Sequence, residues 1–103
     1  MALRRIKRRY LSFSIFSEAA FNEKEVQGAV LESILQLYGL KGLSLIAPTL
    51  IEFDEKGQRG IIRCSHSYLR LMRASLAYVT SIRGSEASII VKKVSGTIKS
   101  LRS

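Results

Sequence analysis

Residues 59–70 read RGIIRCSHSYLR, and the periodicity changes in the middle of this stretch. Apolar residues alternate with Arg63 up to Cys64, which is typical of a strand with one buried face. Ser65 is then a suitable N-cap for a helix over 66–82. The apolar residues that recur at helical spacing in this segment are Leu69, Met72, Leu76 and Val79. The stretch therefore predicts a strand that leads directly into a helix.

Two elements are predicted before this stretch. The segment RYLSFSIFS (9–17) alternates apolar and polar residues, which is the pattern of a half-buried strand. Residues 22–38 predict a helix, because Asn22 and Glu25 have the spacing of a capping box and Gly39 is a typical C-cap. The apolar stripe of this helix consists of Val26, Val30, Ile34 and Leu37.

The segment between the first helix and the second strand is ambiguous. Residues 40–47 are apolar and fit a helical turn that precedes a strand. Pro48 cannot donate a ladder hydrogen bond, so residues 49–53 predict a strand at a sheet edge or after a bulge. The polar residues 54–59 then predict a turn, and a hairpin to a strand over 60–64 follows.

The end of the chain completes the pattern. Residues 83–85 (Arg-Gly-Ser) predict a turn into a last strand over 87–94, and Ser95 is a suitable cap for a short basic helix. The resulting order is β-α-β-β-α-β with a C-terminal helix. It predicts one α+β domain over 1–103, a ferredoxin-like and RRM-like (RNA-recognition-motif-like) α/β sandwich with a four-stranded antiparallel sheet.

Charge is the strongest feature of the composition. Seventeen Lys and Arg residues against eight Asp and Glu residues give a net charge of +9, which favours a polyanionic partner, most often nucleic acid. Residues 1–9 form a basic N-terminal arm with five positive charges between Arg4 and Arg9. No apolar run approaches the length of a membrane span, so a membrane partner is not expected. The single cysteine, Cys64, fits a reducing cytoplasm.

The residues that could carry chemistry are too few for a catalytic or metal site. Cys64 and His66 supply two potential metal ligands, whereas a zinc site usually needs three or four. The acidic residues Glu52, Asp54 and Glu55 cluster at a predicted turn, where carboxylates are commonly just solvated. We therefore expect no catalytic residues and no bound metal or cofactor in this chain.

The third strand resembles part of an RRM but lacks its aromatic residues. Arg59 and Gly60 fit the first two positions of the RRM octapeptide. Ile61, Arg63 and His66 stand where aromatic side chains would stack on bases. The exposed sheet face instead offers Tyr10, Phe16 and Arg63. This favours charge-driven contact with the backbone of a folded RNA over sequence-specific stacking.

The predicted topology brings the two basic clusters together. The first and last strands of this arrangement are antiparallel neighbours, so the N-terminal arm lies beside the end of the last strand. We expect Arg63 to extend this surface across the sheet. The side chains predicted to contact RNA are Arg4, Arg5, Lys7, Arg8, Arg9, Tyr10, Arg59, Arg63, Arg70, Arg73, Lys92, Lys93, Lys99 and Arg102.

The stretch RGIIRCS and the tail VSGTIKSLR, together with RYLSF, IEFDEKGQRG and YLRLMRASLAYVTSI, resemble ribonuclease P protein component 2. This family is archaeal and has eukaryotic relatives in ribonuclease P and the related RNA-processing particle. The resemblance covers Arg9 to Arg102. One departure is His66, at a position where the family is expected to carry a charged residue.

The resemblance implies a non-catalytic, RNA-binding protein subunit of ribonuclease P, the ribonucleoprotein endonuclease that removes the 5′ leader of precursor tRNA. Catalysis is then expected on the RNA, with Mg²⁺ as its cofactor, and the protein assists folding of that RNA. The implied protein partner is ribonuclease P protein component 3, with some members assembling as a dimer of heterodimers. The alternative left open is a ferredoxin-like, small-molecule-binding regulatory domain that dimerises through its sheet.

Overall fold

The computed structural model describes residues 7–102. The strands are β1 (Arg8–Phe16), β2 (Thr49–Asp54), β3 (Arg59–Ser65), β4 (Ser81–Ile82), β5 (Ser85–Glu86) and β6 (Ser88–Ser95). The helices are α1 (Glu23–Ile46), α2 (Leu69–Tyr78) and α3 (Ile98–Arg102), and a short 3-10 turn (His66–Tyr68) joins β3 to α2.

Four strands form one antiparallel sheet in the order β2-β3-β1-β6. The predicted four-stranded antiparallel sheet with helices is confirmed. The strands β4 and β5 form a separate two-stranded hairpin around the predicted turn at Arg83 and Gly84, and this hairpin was not predicted. We call the sheet face that packs against α1 and α2 the core face, and the opposite one the outer face.

The core face carries the alternating apolar residues of the strands. Leu11, Phe13, Ile62, Cys64 and Ile89 are each less than one-tenth exposed and belong to one cluster. The helices contribute Val26, Val30, Ile34, Met72 and Leu76 to the same cluster. The prediction that Cys64 packs inward with Ile62 is therefore confirmed.

The predicted start of α1 is confirmed. The side chain of Asn22 accepts a hydrogen bond of 2.9 Å from the backbone N–H of Glu25, and the carboxylate of Glu25 accepts one of 2.9 Å from the N–H of Asn22. These two bonds satisfy backbone donors that a helix start would otherwise leave without partners.

The first helical segment ends at Gly39, as predicted, and a second helical segment follows it directly within α1. Gly39 adopts a φ of 70°, and the second segment continues to Ile46. Of the ambiguous residues 40–47, those up to Ile46 are therefore helical, and Ala47 is the C-cap.

Leu37 was predicted to be buried but is 36% exposed, because the first helical segment ends near it. Ser33, one turn earlier, is buried instead. Its hydroxyl donates a 2.6 Å hydrogen bond to the carbonyl of Ser75.

By length and composition alone, α1 is apolar enough to cross a membrane. This was not predicted from the sequence, in which no apolar run of that length was found. Its buried residues Val26, Val30, Ile34 and Ile46 nevertheless belong to the core that α2 and the sheet share. We therefore describe α1 as a core helix of this domain.

The β2–β3 hairpin lies at one edge of the sheet, as Pro48 predicted. Gly60 of β3 is essential to its packing, since a Cβ atom there would lie 2.5 Å from the carbonyl oxygen of Glu52 and 3.0 Å from the ring of Phe13. The absence of a side chain at Gly60 leaves space in which Phe13 stacks on Phe53, with ring centroids 6.3 Å apart.

One predicted helix cap is confirmed in position only, and another is wrong. Ser65 is the N-cap residue of the 3-10 turn that begins at His66, but its side chain makes no capping hydrogen bond, and α2 itself begins at Leu69. It also ends at Tyr78 and not near 82, because the chain enters the β4–β5 hairpin. The cap of α3 is Thr97 and not Ser95, since the Thr97 hydroxyl accepts a 3.2 Å hydrogen bond from the N–H of Ser100.

Candidate RNA-binding surface

The start of β1 and the end of β6 are adjacent. Tyr10 pairs with Ser95 in the sheet, and the guanidinium of Arg9 lies so close to Gly96 that a Cβ atom there would be 3.0 Å from it. The chain before β1 is held to the end of β3 by a 2.9 Å hydrogen bond from the N–H of His66 to the carbonyl of Lys7. The expected juxtaposition of the first and last strands is thus confirmed by the register.

Several of the predicted RNA-binding side chains therefore lie at one end of the sheet. We call this set the basic surface, and it consists of Lys7, Arg8, Arg9, Arg63, Lys92, Lys93 and Lys99. All are exposed except Arg9 and Arg63, which are half-buried. The strand β1 begins at Arg8, so Arg8 and Arg9 belong to the sheet and not to the arm predicted over 1–9. Arg4 and Arg5 lie outside the described residues.

Tyr10 and Arg63 are direct neighbours on the outer face. They are paired across β1 and β3, and both are half-buried. The guanidinium of Arg63 also donates a long hydrogen bond of 3.5 Å to the hydroxyl of Thr49 on β2. Arg63 thus extends positive charge from β1 towards the β2 edge, as predicted.

The C-terminal helix α3 lies over part of the outer face. The ammonium of Lys93 on β6 donates a 2.9 Å hydrogen bond to the carbonyl of Ser100. Arg102 forms an ion pair with Glu52 on β2, at the opposite edge of the sheet. Both Lys93 and Glu52 lie on the outer face, because their partners in the register are Ser12 and Ile61. This part of the sheet is consequently covered by α3.

Four of the predicted residues lie apart from the basic surface. Arg59 stands at the other end of β3, where its Nε lies 3.8 Å from Asp54 Oδ2. Arg70 and Arg73 are exposed on α2, in the helical layer behind the sheet. Arg102 reaches the β2 edge through its ion pair and does not join the cluster at the end of β6.

Cys64 and His66 show no arrangement suited to chemistry. Cys64 is 1% exposed, and burial raises the pKa of its thiol from 9.0 to about 11, against the opposing effect of the Arg9 charge. The thiol therefore stays protonated at neutral pH, where a nucleophile or metal ligand would need the thiolate. His66 is exposed. Within residues 7–102, no group of three or more His, Cys, Asp or Glu side chains comes together as a metal site would require.

A family model described as the Rpp14/Pop5 family matches residues 9–103. The chain belongs to the Rpp14/Pop5 family. The match includes every residue of the basic surface except Lys7 and Arg8.

Relatives of this Rpp14/Pop5 member are proteins called ribonuclease P protein component 2. The protein of Pyrococcus furiosus is 42% identical over 98 residues, which are 95% of this chain and 82% of the relative. The Thermococcus gammatolerans protein is 40% identical with the same coverage. The Methanosarcina mazei protein is 39% identical over 95 residues, 92% of this chain and 80% of the relative.

A solved structure shares the fold of this Rpp14/Pop5 chain. A chain in the structure described as yeast ribonuclease MRP superposes with a TM-score of 0.75 and is 16% identical in sequence. The superposition covers 93% of this chain and 79% of the yeast chain. At this identity the likeness concerns the fold alone.

The ion pair of one surface residue of this Rpp14/Pop5 member, Glu52, was not predicted from the sequence. Glu52 was interpreted as a solvated member of an acidic turn, but it lies within β2 and pairs with Arg102. The alternation of β2 signals only that Glu52 is on the outer face. The partner could not be inferred because it is contributed by a helix fifty residues later.

Proposed function

We propose that this chain is a non-catalytic, RNA-binding protein subunit of ribonuclease P, the ribonucleoprotein that removes the 5′ leader of precursor tRNA. The observation that carries the proposal is the juxtaposition of β1 and β6, which gathers the basic surface at one end of the sheet. Membership of the Rpp14/Pop5 family supports the ribonuclease P assignment.

The basic surface is suited to a folded RNA backbone. The surface consists of lysine and arginine side chains, and the whole chain carries a net charge of +9. Contacts with phosphates release counterions and lower the repulsion between RNA segments that must approach each other. The protein would thereby reduce the concentration of Mg²⁺ that the catalytic RNA needs to fold. In this proposal Mg²⁺ belongs to the RNA, and the protein holds no cofactor of its own.

The proposed protein partner is component 3, bound to an apolar surface on α1. We call this surface the α1 patch, and it consists of Leu35, Leu37, Leu40 and Leu45, of which Leu40 is 77% exposed. Contiguous exposed apolar surface is typical of a protein interface, and the proposal requires these four leucines, which lie on either side of Gly39, to form one such surface. We further propose that this chain and component 3 form a heterodimer and that two heterodimers associate. The proposed location is the cytoplasm.

The sheet order β2-β3-β1-β6 supports the ferredoxin-like description of the fold, with the β4–β5 hairpin as an insertion before the last strand.

The alternative function was a small-molecule-binding regulatory domain, because the same fold also hosts such regulators. A groove of about 870 Å³ does lie between α1 and residues 77–84. The comparisons do not favour the alternative, because the relatives are ribonuclease P proteins.

The proposal is tested by reconstituting the ribonuclease P particle with and without this protein and following precursor-tRNA cleavage as Mg²⁺ is lowered. We expect the protein to restore cleavage at Mg²⁺ concentrations where the RNA alone is inactive. The protein without RNA should cleave nothing. An unchanged Mg²⁺ requirement, or metal-dependent cleavage by the protein alone, would contradict the proposal.

A further inference from the structure

The outer face of the sheet also carries two exposed apolar side chains at the end away from the basic surface. Phe16, the last residue of β1, is 76% exposed, and Ile90 on β6 is 44% exposed. Ser14 pairs with Ile90 on one side and with Arg59 on the other, and Phe16 pairs with Ser88. Phe16 and Ile90 are therefore diagonal neighbours on the same face, with Arg59 on the next strand.

The cross-strand neighbours leave the Phe16 ring accessible. Ser14 and Ser88 are small, so their side chains cannot cover the aromatic ring. The helix α3 covers the part of the face nearer to Lys93 and Glu52, since its contacts with the sheet are made there. Phe16 thus presents an open aromatic face beside an aliphatic side chain.

Arg59, on the strand next to β1, adds a positive charge beside Phe16 and Ile90. Its side chain is 71% exposed. The nearest carboxylate oxygen, Asp54 Oδ2, is 3.8 Å from its Nε, which is longer than a charge-assisted hydrogen bond. The guanidinium therefore keeps donors available for a phosphate.

We propose that Phe16, Ile90 and Arg59 form a docking site for one unpaired nucleotide of RNA. The base stacks on the ring of Phe16 with Ile90 at its edge, and Arg59 binds the adjoining phosphate. Stacking on an aromatic ring accepts every base, so this site recognises an unpaired strand and not a sequence. The inference rests on the proposed function, since it names a second class of RNA contact for the same protein.

The dimensions favour a nucleotide over a protein. A stable protein interface buries about 800 Å² on each partner and involves some twenty residues. The exposed area here comes from two apolar side chains and ends where α3 begins to cover the sheet. The four leucines of the α1 patch belong to the helical layer, which packs on the core face and not on the outer face. One ring, one aliphatic edge and one cation match the parts of a single nucleotide.

The chain contains no tryptophan, which allows a selective measurement. In the variant Phe16→Trp, the indole fluorescence reports on this position alone. Titration with a single-stranded oligouridylate should quench this fluorescence, because the base stacks on the indole. A fully paired RNA of the same length should bind through the basic surface without quenching. The matched control is Leu40→Trp, which places the reporter on α1 and should respond to neither RNA.

A second variant measures the contribution of the ring to affinity. Stacking of one base is worth about 1–3 kcal/mol in alanine substitutions, so Phe16→Ala should weaken binding of the oligouridylate by between about five-fold and about 150-fold. Binding of the paired RNA should stay within about two-fold of the unmodified protein, since its contacts are with phosphates. The salt dependence should also be unchanged, because no charge is removed.

The outcomes separate this site from the proposed function. If the unmodified protein binds neither RNA, the proposed function itself fails. If it binds both, but Phe16→Ala binds the oligouridylate normally and Phe16→Trp is not quenched, only the nucleotide site is refuted. If addition of protein component 3 shifts the Phe16→Trp emission to the blue while RNA does not, the surface is a protein interface and the nucleotide site is likewise overturned.

Discussion

Arg102 of α3 forms an ion pair with Glu52 of β2, the edge strand that two other strands separate from β6, which leads into α3. The helix therefore crosses the outer face from β6 to the β2 edge. Beneath it Ile61, an outer-face residue of β3, is only 6% exposed. The sheet face that would be open in a simple four-stranded sandwich is thus divided into a covered part and an exposed part that ends at Phe16.

The substitution Glu52→Gln should loosen α3 without unfolding the domain. A helix of five residues is marginal without external contacts. An exposed ion pair contributes less than about 1 kcal/mol, so the free energy of unfolding should change little. Hydrogen exchange of the α3 amides should become faster, and Glu55→Gln, in the neighbouring turn, is the matched control. Equal exchange in the two variants would show that the ion pair does not hold the helix.

Replacement of Cys64 by alanine should be mild at neutral pH. The thiol is small and buried, so its loss should cost about 1 kcal/mol of stability. RNA binding should be unaffected, because the thiol lies on the core face. A folded Cys64→Ala protein that fails to bind RNA would contradict the assignment of this residue to packing.

The same thiol predicts a pH dependence of stability. Because burial raises the pKa of Cys64 from 9.0 to about 11, the folded protein retains a proton that the unfolded chain loses between these values. The stabilisation from the protonated thiol is therefore complete below pH 9.0 and is lost as the pH rises towards 11. Urea unfolding across this range should show a steeper loss of stability for the unmodified protein than for Cys64→Ala. Parallel curves would refute the prediction.

Much of the fold is encoded in local patterns. The capping box of Asn22 and Glu25 fixed the start of α1, and Pro48 identified an edge strand. The alternation around Cys64 identified the core face of β3. Each of these signals depends on a few neighbouring residues and on a property that the residue type itself determines, such as the missing donor of proline.

The parts that the sequence could not predict depend on distant contacts. Alternation places Ile61 on the outer face, where exposure is expected, yet it is 6% exposed in the part of that face that α3 crosses. Ser65 has the residue type of an N-cap, but the chain first makes a 3-10 turn, so its hydroxyl makes no cap. The basic surface was predictable because the order of strands implies it, whereas the separate position of Arg102 depends on Glu52.

The α1 patch should be required for binding of component 3. The double substitution Leu40→Ser and Leu45→Ser removes two aliphatic side chains that are 77% and 39% exposed, so the melting temperature should fall modestly, through Leu45, without loss of the fold. Burial of one leucine is worth about 1.5–3 kcal/mol, so affinity should fall by at least about ten-fold. Calorimetric titration with component 3 measures this. Ile90→Ser, on the outer face, is the control and should bind normally; equal affinity in both variants would exclude α1 as the interface.

The central claim is that RNA lies on the end of the molecule where β1 begins and β6 ends. It is tested most directly by the salt dependence of RNA binding in two variants that lose the same charge. One variant replaces Arg4, Lys7 and Arg8 by alanine. The other replaces Lys24, Lys41 and Lys56, which are exposed on α1 and in the β2–β3 turn.

Each phosphate contact contributes about 0.7–0.9 to the slope of log affinity against log salt. The first variant should therefore bind ribonuclease P RNA more weakly and with a slope reduced by roughly two. The second should retain the affinity and slope of the unmodified protein. Equal losses in the two variants, or none in the first, would show that the RNA is bound elsewhere.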